Sequence, residues 1–208
     1  YCPNCGREDV RQYSNNRPVA DFYCEDCGDD YELKSKAGEL GKKIIDGAYS
    51  SMIERLGCNK NPNFFFLSYR PDSYLINNFI IIPKHFFIPR VVEKRKPLSV
   101  NAKRAGWVGC NILLDRIPLS GRIFFIKNGK KIPKKRVLSD WQKTVFLRDE
   151  IDMTTKTWIM DVLECVDKIS ENEFTIDDVY KYDEYLKQKH PENKHIRDKI
   201  RQQLQFLR

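Results

Sequence analysis

Two hydrophobic periods divide the chain. Residues 64–69 and 78–83 are short apolar runs, too brief for helices, and they read as strands. Residues 18–23 and 31–34 flank a turn at 24–28, so they read as two arms of a hairpin. Between these sets, Ile44, Ile45, Ala48, Met52 and Leu56 recur at spacings that predict one helix over 42–56, with a single buried stripe. A further strand is predicted over 122–126, closed by the hairpin-turn pair Asn128-Gly129.

After about residue 150 the helical period takes over. Trp158, Val162, Val166 and Ile169 mark one apolar stripe. Thr175 with Asp178 forms a capping-box pattern that opens a second helix through Val179, Tyr182 and Leu186, and Pro191 closes it. Asn193 is expected to cap a third helix, with Ile196, Ile200, Leu204 and Leu207 inside and Arg197, Arg201 and Gln202 outside. The order predicts an α/β layered core over 1–150 and a small α-helical domain over 151–208. The helical part reads as a helix-turn-helix or winged-helix module, or as a plain three-helix bundle packed on the first domain.

The 208 residues, 41% apolar and 12% aromatic, suffice for a packed core. No apolar run approaches the roughly 20 residues that cross a bilayer. No basic and apolar leader precedes the first cysteine, so a cytoplasmic location is expected. The chain opens at Tyr1 without a methionine, and further residues are expected beyond its ends.

Charge narrows the partner. Residues 84–148 carry 17 basic and 3 acidic side chains, whereas 1–83 carry 10 and 12, and 149–208 carry 10 and 14. A cationic middle points to a polyanion such as nucleic acid, because neutralising phosphates releases condensed counterions. A solvated face that aids solubility is the bland alternative.

The cysteines add a metal. Cys2 and Cys5 form one C-x2-C, Cys24 and Cys27 a second, and the 18 residues between lie within zinc-site spacing. Four thiolates fill a tetrahedral shell and leave no position for water, so the expected Zn2+ is structural. Cys58, Cys110 and Cys165 are expected to be ordinary buried thiols.

Asp21 on one hairpin arm and Glu32 and Lys34 on the other offer chemistry. Residues two apart on a strand share a face, so Glu32 and Lys34 project together. Asp21, Glu32 and the carbonyl of Leu33 supply hard oxygen ligands suited to Mg2+, and Lys34 can orient an attacking water. A polar strand face without chemistry is the structural alternative.

Several segments together resemble a known family: Tyr-Cys-Pro-Asn-Cys at 1–5, Asn-Arg-Pro-Val-Ala-Asp-Phe-Tyr-Cys at 16–24, Glu-Leu-Lys-Ser-Lys at 32–36, Asp-Gly-Ala-Tyr at 46–49, Asn-Pro-Asn-Phe-Phe-Phe-Leu at 61–67, Arg-Ala-Gly-Trp at 104–107 and Ile-Arg-Gln-Gln-Leu-Gln at 200–205. They are similar to DpnI-type methyl-directed restriction endonucleases of the PD-(D/E)xK nuclease superfamily, along essentially the whole chain. The resemblance implies a restriction-endonuclease-like core with an embedded zinc site, followed by a winged-helix-like domain. It implies a type II enzyme making Mg2+-dependent double-strand breaks at GATC sites whose adenines carry N6-methyl groups. By motif position it places the catalytic trio on Asp21, Glu32 and Lys34. Ala20 stands where the family motif has proline before Asp21.

Lys103 and Arg104 beside Trp107, held between Gly106 and Gly109, suit base and phosphate contact, with Trp107 as an apolar wall for N6-methyl groups. A core role is the other reading of Trp107. The cations from Lys127 to Arg136 are expected to track phosphates, and the third helix, with Arg197 and Arg201, to enter the major groove. The expected partner is adenine-methylated duplex DNA, with no membrane and a single protomer acting. A non-catalytic reader of methylated DNA, or a zinc-ribbon accessory protein, are rivals that need no acid-acid-lysine set.

Overall fold

The computed structural model describes residues 1–14, 20–58, 61–150, 152–169, 171 and 173–206. Pro18 and Val19 of the first predicted strand, and Leu207 of the last predicted helix, lie outside the described residues.

The first arm is short: β1 (Arg11–Gln12) and β2 (Phe22–Tyr23) lead into the long strand β3 (Asp30–Ala37). β4 (Lys43–Ala48) and α1 (Tyr49–Gly57) then cross over to β5 (Asn63–Tyr69), which pairs parallel with β3. β6 (Ile76–Ile82) returns antiparallel, followed by β7 (Val92–Lys94), β8 (Gly109–Leu113), β9 (Ile123–Lys127), β10 (Lys130–Lys131) and α2 (Lys134–Gln142). One mixed sheet runs β1-β2-β3-β5-β6-β9-β10, and a second, antiparallel sheet runs β4-β8-β7.

β5 is central and covered on both faces. Phe64 and Phe66 enter a core with Ile80, Ile82, Met52, Leu56, Ile112 and α3 (Met153–Val166), while Phe65 enters a second core with Tyr31, Ile81, Ile123, Phe125 and Trp141. That double burial explains the unbroken phenylalanine run, since a strand facing water on one side would alternate. The Asn128-Gly129 turn forms as predicted, with φ of 49° and 75°, the left-handed pair that closes a two-residue hairpin.

The predicted helix over 42–56 is corrected: its first half is the strand β4. Burial there alternates, with Ile44 and Asp46 inside and Ile45 66% exposed. Ile44 and Ile45 favour strand through their branched β-carbons, and Gly47 weakens a helix interior. Helical spacing from Ala48 onward is retained in α1, where Met52 and Leu56 are buried.

The second predicted helix is also corrected. It is two helices, α4 (Ile176–Tyr180) behind the Thr175–Asp178 capping box and α5 (Asp183–Lys189). Asn193 accepts from the His195 N–H at 2.7 Å, closing a turn two residues ahead of α6 (Ile196–Phe206) rather than capping that helix. Among the described residues no strand follows β10, so a wing is not seen. Cys58 is exposed, whereas Cys110 and Cys165 are buried as expected.

α3 fastens the two parts together. Ile159, Met160 and Leu163 pack in the main core, while Trp158, Val162 and Cys165 pack with Val179, Leu186, Ile196 and Ile200. Between these faces Asp161 is fully buried, 2.5 Å from Arg90 of the sheet core and 2.7 Å from Lys189 of α5, with His190 Nε2 at 2.9 Å. Asp161→Ala would leave these cations without their buried counter-charge. A loss of about 3–5 kcal/mol in urea unfolding is expected, with faster amide exchange in α5; unchanged stability would refute the junction role.

Candidate active site and nucleic-acid interface

Strand alternation sorts β3 into two chemistries. Tyr31 and Leu33 lie on the face of Phe65, whereas Glu32 and Lys34 are in register with Phe64 and Phe66 on the face covered by α1.

On the first face the cysteines converge. Cys2, Cys5, Cys24 and Cys27 place their sulfurs within 4.8 Å of one another, with Cys2–Cys27 at 3.6 Å and Cys5–Cys24 at 3.5 Å. Four sulfurs about 2.3 Å from one ion at tetrahedral corners would stand about 3.8 Å apart, so the cluster is compatible with zinc. Each knuckle ends on a glycine with positive φ, Gly6 at 82° and Gly28 at 71°, where a side chain would be strained. The Tyr31 hydroxyl lies 3.1 Å from Cys2 Sγ, and the Trp141 indole donates to Asn4 at 3.1 Å, which ties the first knuckle to β3 and α2.

On the second face Lys34 Nζ lies 2.5 Å from Glu32 Oε1 and 2.6 Å from Asp46 Oδ1. Arg55 of α1 stands 3.8 Å from Glu32 Oε2. Burial raises the Glu32 carboxyl above its usual range, and Lys34 offsets this only in part, helped by Arg55 and opposed by Asp46. Burial also disfavours the Lys34 ammonium, but Glu32 and Asp46 together outweigh it and hold Lys34 above its usual value. Glu32 Oε2 and Asp46 Oδ2 are buried without a hydrogen-bond partner. Among the described residues only the four cysteines bring three or more ligand atoms within 4.8 Å of one another, so Asp21, Glu32 and Asp46 do not converge to that degree.

Asp21 sits just before β2, on the exposed side of this region, and its Oδ2 accepts the Leu33 N–H at 2.7 Å. Its carboxylate is therefore anchored on the residue between Glu32 and Lys34. Asp46 and Arg55 escaped the sequence reading. The signal for Asp46 was the alternation of Ile44 and Asp46 about Ile45, which a helical assignment hides.

The basic loop after β7 returns through Trp107. Leu98 N–H bonds to the Trp107 carbonyl at 2.9 Å, Arg104 stacks 4.6 Å from the indole, and Lys103 and Arg104 are exposed. Trp107 is half-buried and is not a core residue: its ring lies across Gly109, where a β-carbon would come within 2.8 Å. In α6, Arg197 pairs with Asp183 at 2.9 Å, and Arg197 and Arg201 flank the Tyr180 ring at 5.0 and 5.8 Å. Both arginines are exposed. They are far along the chain from the Trp107 loop, on a separate helical unit.

The mixed α/β core, with buried acids and a lysine on one sheet face, is joined to a helical module. Residues 1–150 match the model of the Dam-replacing family, and residues 154–208 match the Dam-replacing helix-turn-helix domain. The chain belongs to the DpnI family, a restriction endonuclease family directed at methylated DNA. DNA binding follows from that membership. No helix among the described residues is long and apolar enough to cross a membrane.

Metal removal by a strong chelator is expected to lower the melting temperature and speed amide exchange in β2 and β3, because metal binding and folding are coupled at such clips. Identical melting with and without metal would count against the four-cysteine site. Asp46→Asn removes one of two carboxylates that raise Lys34. Its ammonium should titrate at lower pH, read by side-chain NMR, and an unmoved titration would break the assigned contact.

Proposed function

We propose that this protein is a type II endonuclease that makes Mg2+-dependent double-strand breaks in DNA at GATC sites carrying N6-methyladenine. The observation that carries the reading is the cluster on one face of β3, where Glu32 and Asp46 hold Lys34 and keep two buried oxygens without donors. Asp21, Glu32 and the Leu33 carbonyl are the proposed Mg2+ ligands, with Asp46 as a positioning residue for Lys34. A bound Mg2+ polarises the scissile phosphate and eases deprotonation of a water. Lys34, held by its two carboxylates, directs its ammonium at that water and at the charge developing on phosphorus.

Asp21 keeps its orientation through the Leu33 amide, so the strand itself sets the ligand position. Burial beside α1 excludes bulk water and strengthens each of these electrostatic contacts. The four thiolates hold a structural Zn2+, with no coordination position left for substrate. Trp107 supplies an apolar wall for the N6-methyl group, with Lys103 and Arg104 on the phosphates. One methyl contributes only about 1 kcal/mol on burial, so discrimination needs further contacts, which Arg197 and Arg201 of α6 supply as a second reader. The enzyme acts as a monomer in this reading, and domain 1–150 carries the chemistry while 151–208 reads DNA.

Incubation with methylated and unmethylated plasmid plus Mg2+ tests the proposal. Cutting of the methylated form alone is expected. Binding without cutting of either form would leave a non-catalytic reader, and cutting of both would remove the methyl dependence. Asp21→Ala should lower cleavage by at least a hundredfold, the scale of catalytic-group losses, and spare DNA binding in a mobility-shift assay.

A further inference from the structure

On the α1 side of the main core, one residue removed from the Glu32 cluster, lies a semi-enclosed cavity of about 210 Å³. Its polar lining is Arg55, Asn61, Lys84, His85, Arg148 and Lys156, and no carboxylate faces it. These residues come from α1, the approach to β5, the segment after β6, the segment between α2 and α3, and the start of α3, so the fold and not a local sequence run assembles them. Lys156 is 4% exposed and His85 6%. Arg55 Nε and His85 Nε2 are buried with no hydrogen-bond partner, as is Asn61 Oδ1.

Some of this charge is already used. Lys84 pairs with Asp29 at 3.1 Å, Arg148 with Asp149 at 3.6 Å, and Arg55 leans on Glu32 at 3.8 Å. Lys156 has no ion pair among the described residues, and burial pulls its ammonium below the usual value despite the pull of Glu150. The Lys156 side chain is buried up to the cavity it lines, so an anion there would supply the counter-charge the ammonium lacks.

We propose that this cavity is a binding site for a phosphate group, either free inorganic phosphate or the terminal phosphate of a nucleic-acid strand. Cations approach from several sides, which suits a tetrahedral dianion better than a carboxylate or a halide. The volume is smaller than the roughly 300 Å³ at which small-molecule pockets begin, so it admits a phosphate and not the nucleoside attached to it. The oxygens meet Lys156 and the Arg55 Nε–H, and a protonated phosphate oxygen meets Asn61 Oδ1. His85 agrees with this: burial, with Lys156, Arg148 and Lys84 around it, pushes its imidazole down to about 3. An anion in the cavity reverses that push.

The proposal concerns binding and does not depend on the nuclease reading. Full-length protein would be titrated with inorganic phosphate at constant ionic strength set by sodium chloride, with thermal unfolding and His85 imidazole NMR as readouts. Saturable stabilisation is expected, together with a rise of the His85 titration point by a unit or more. Lys156→Met removes the central cation but keeps the volume. It should melt higher than the parent without phosphate and lose the phosphate-dependent increment. Stabilisation no greater than chloride gives, or equal in Lys156→Met, would overturn the site. An unmoved His85 would do so even if the variant failed to fold. A 5′-phosphorylated duplex that competes with phosphate, where its 5′-hydroxyl counterpart does not, assigns the site to strand ends; equal failure of both duplexes assigns it to the free anion.

Discussion

The period of two along β3 is the constraint on which the site depends. One strand carries Tyr31 toward the thiol cluster and Glu32 and Lys34 toward α1, so the four-cysteine cluster and the acid–lysine cluster sit back to back across a single sheet layer. A slip of one residue in the β3–β5 register would exchange the faces, placing ionised groups in the aromatic core and Tyr31 among carboxylates. The Phe64-Phe65-Phe66 run opposes that slip because both faces of β5 are already filled. Stability and chemistry therefore share one determinant. The clip at Cys2, Cys5, Cys24 and Cys27 pins the end of β3 from which Glu32 and Lys34 project.

Buried charge is handled differently at three places. Lys34 shares itself between Glu32 and Asp46, and Arg55 approaches Glu32 from α1, so two carboxylates and two cations face one another there. Asp161 is the reverse case, one carboxylate among Arg90, Lys189 and His190, and it locks the helical unit to the sheet core. Lys156 has neither arrangement, and its cavity carries an excess of positive charge. All three lie on or beside α1 and α3, the helices that cover one face of the large sheet. The cost of desolvating these groups is met by packing from the phenylalanine and isoleucine layers around them.

The cationic middle of the chain is divided by the fold into separate surfaces. Lys103 and Arg104 stand on an exposed loop with Trp107, Lys84 and Arg148 turn into the cavity, and Lys134 pairs with Glu8 at the knuckle. The net excess over 84–148 is thus a sum of roles, only part of which is free for a polyanion.

Local chemistry was readable without coordinates. The C-x2-C pairs, the Asn128-Gly129 turn, the Thr175–Asp178 capping box and the strands about residues 64–69 and 78–83 all formed, because each is set by neighbours within a few residues. The same short range explains the errors. Ile44 to Leu56 satisfies a helical stripe on paper, yet pairing with β8 supplies hydrogen bonds to its first half and turns it into β4. Asp46 reached Lys34 only through that pairing. The cavity about Lys156 is likewise invisible in sequence, since Arg55, Lys84 and Lys156 are separated by long stretches of chain. What the sequence by itself determined was which groups carry thiolate, carboxylate and ammonium, and the turns that hold them locally. Which of them meet was decided by strand register and by the docking of α1 and α3, because contacts between distant segments depend on how whole faces pack.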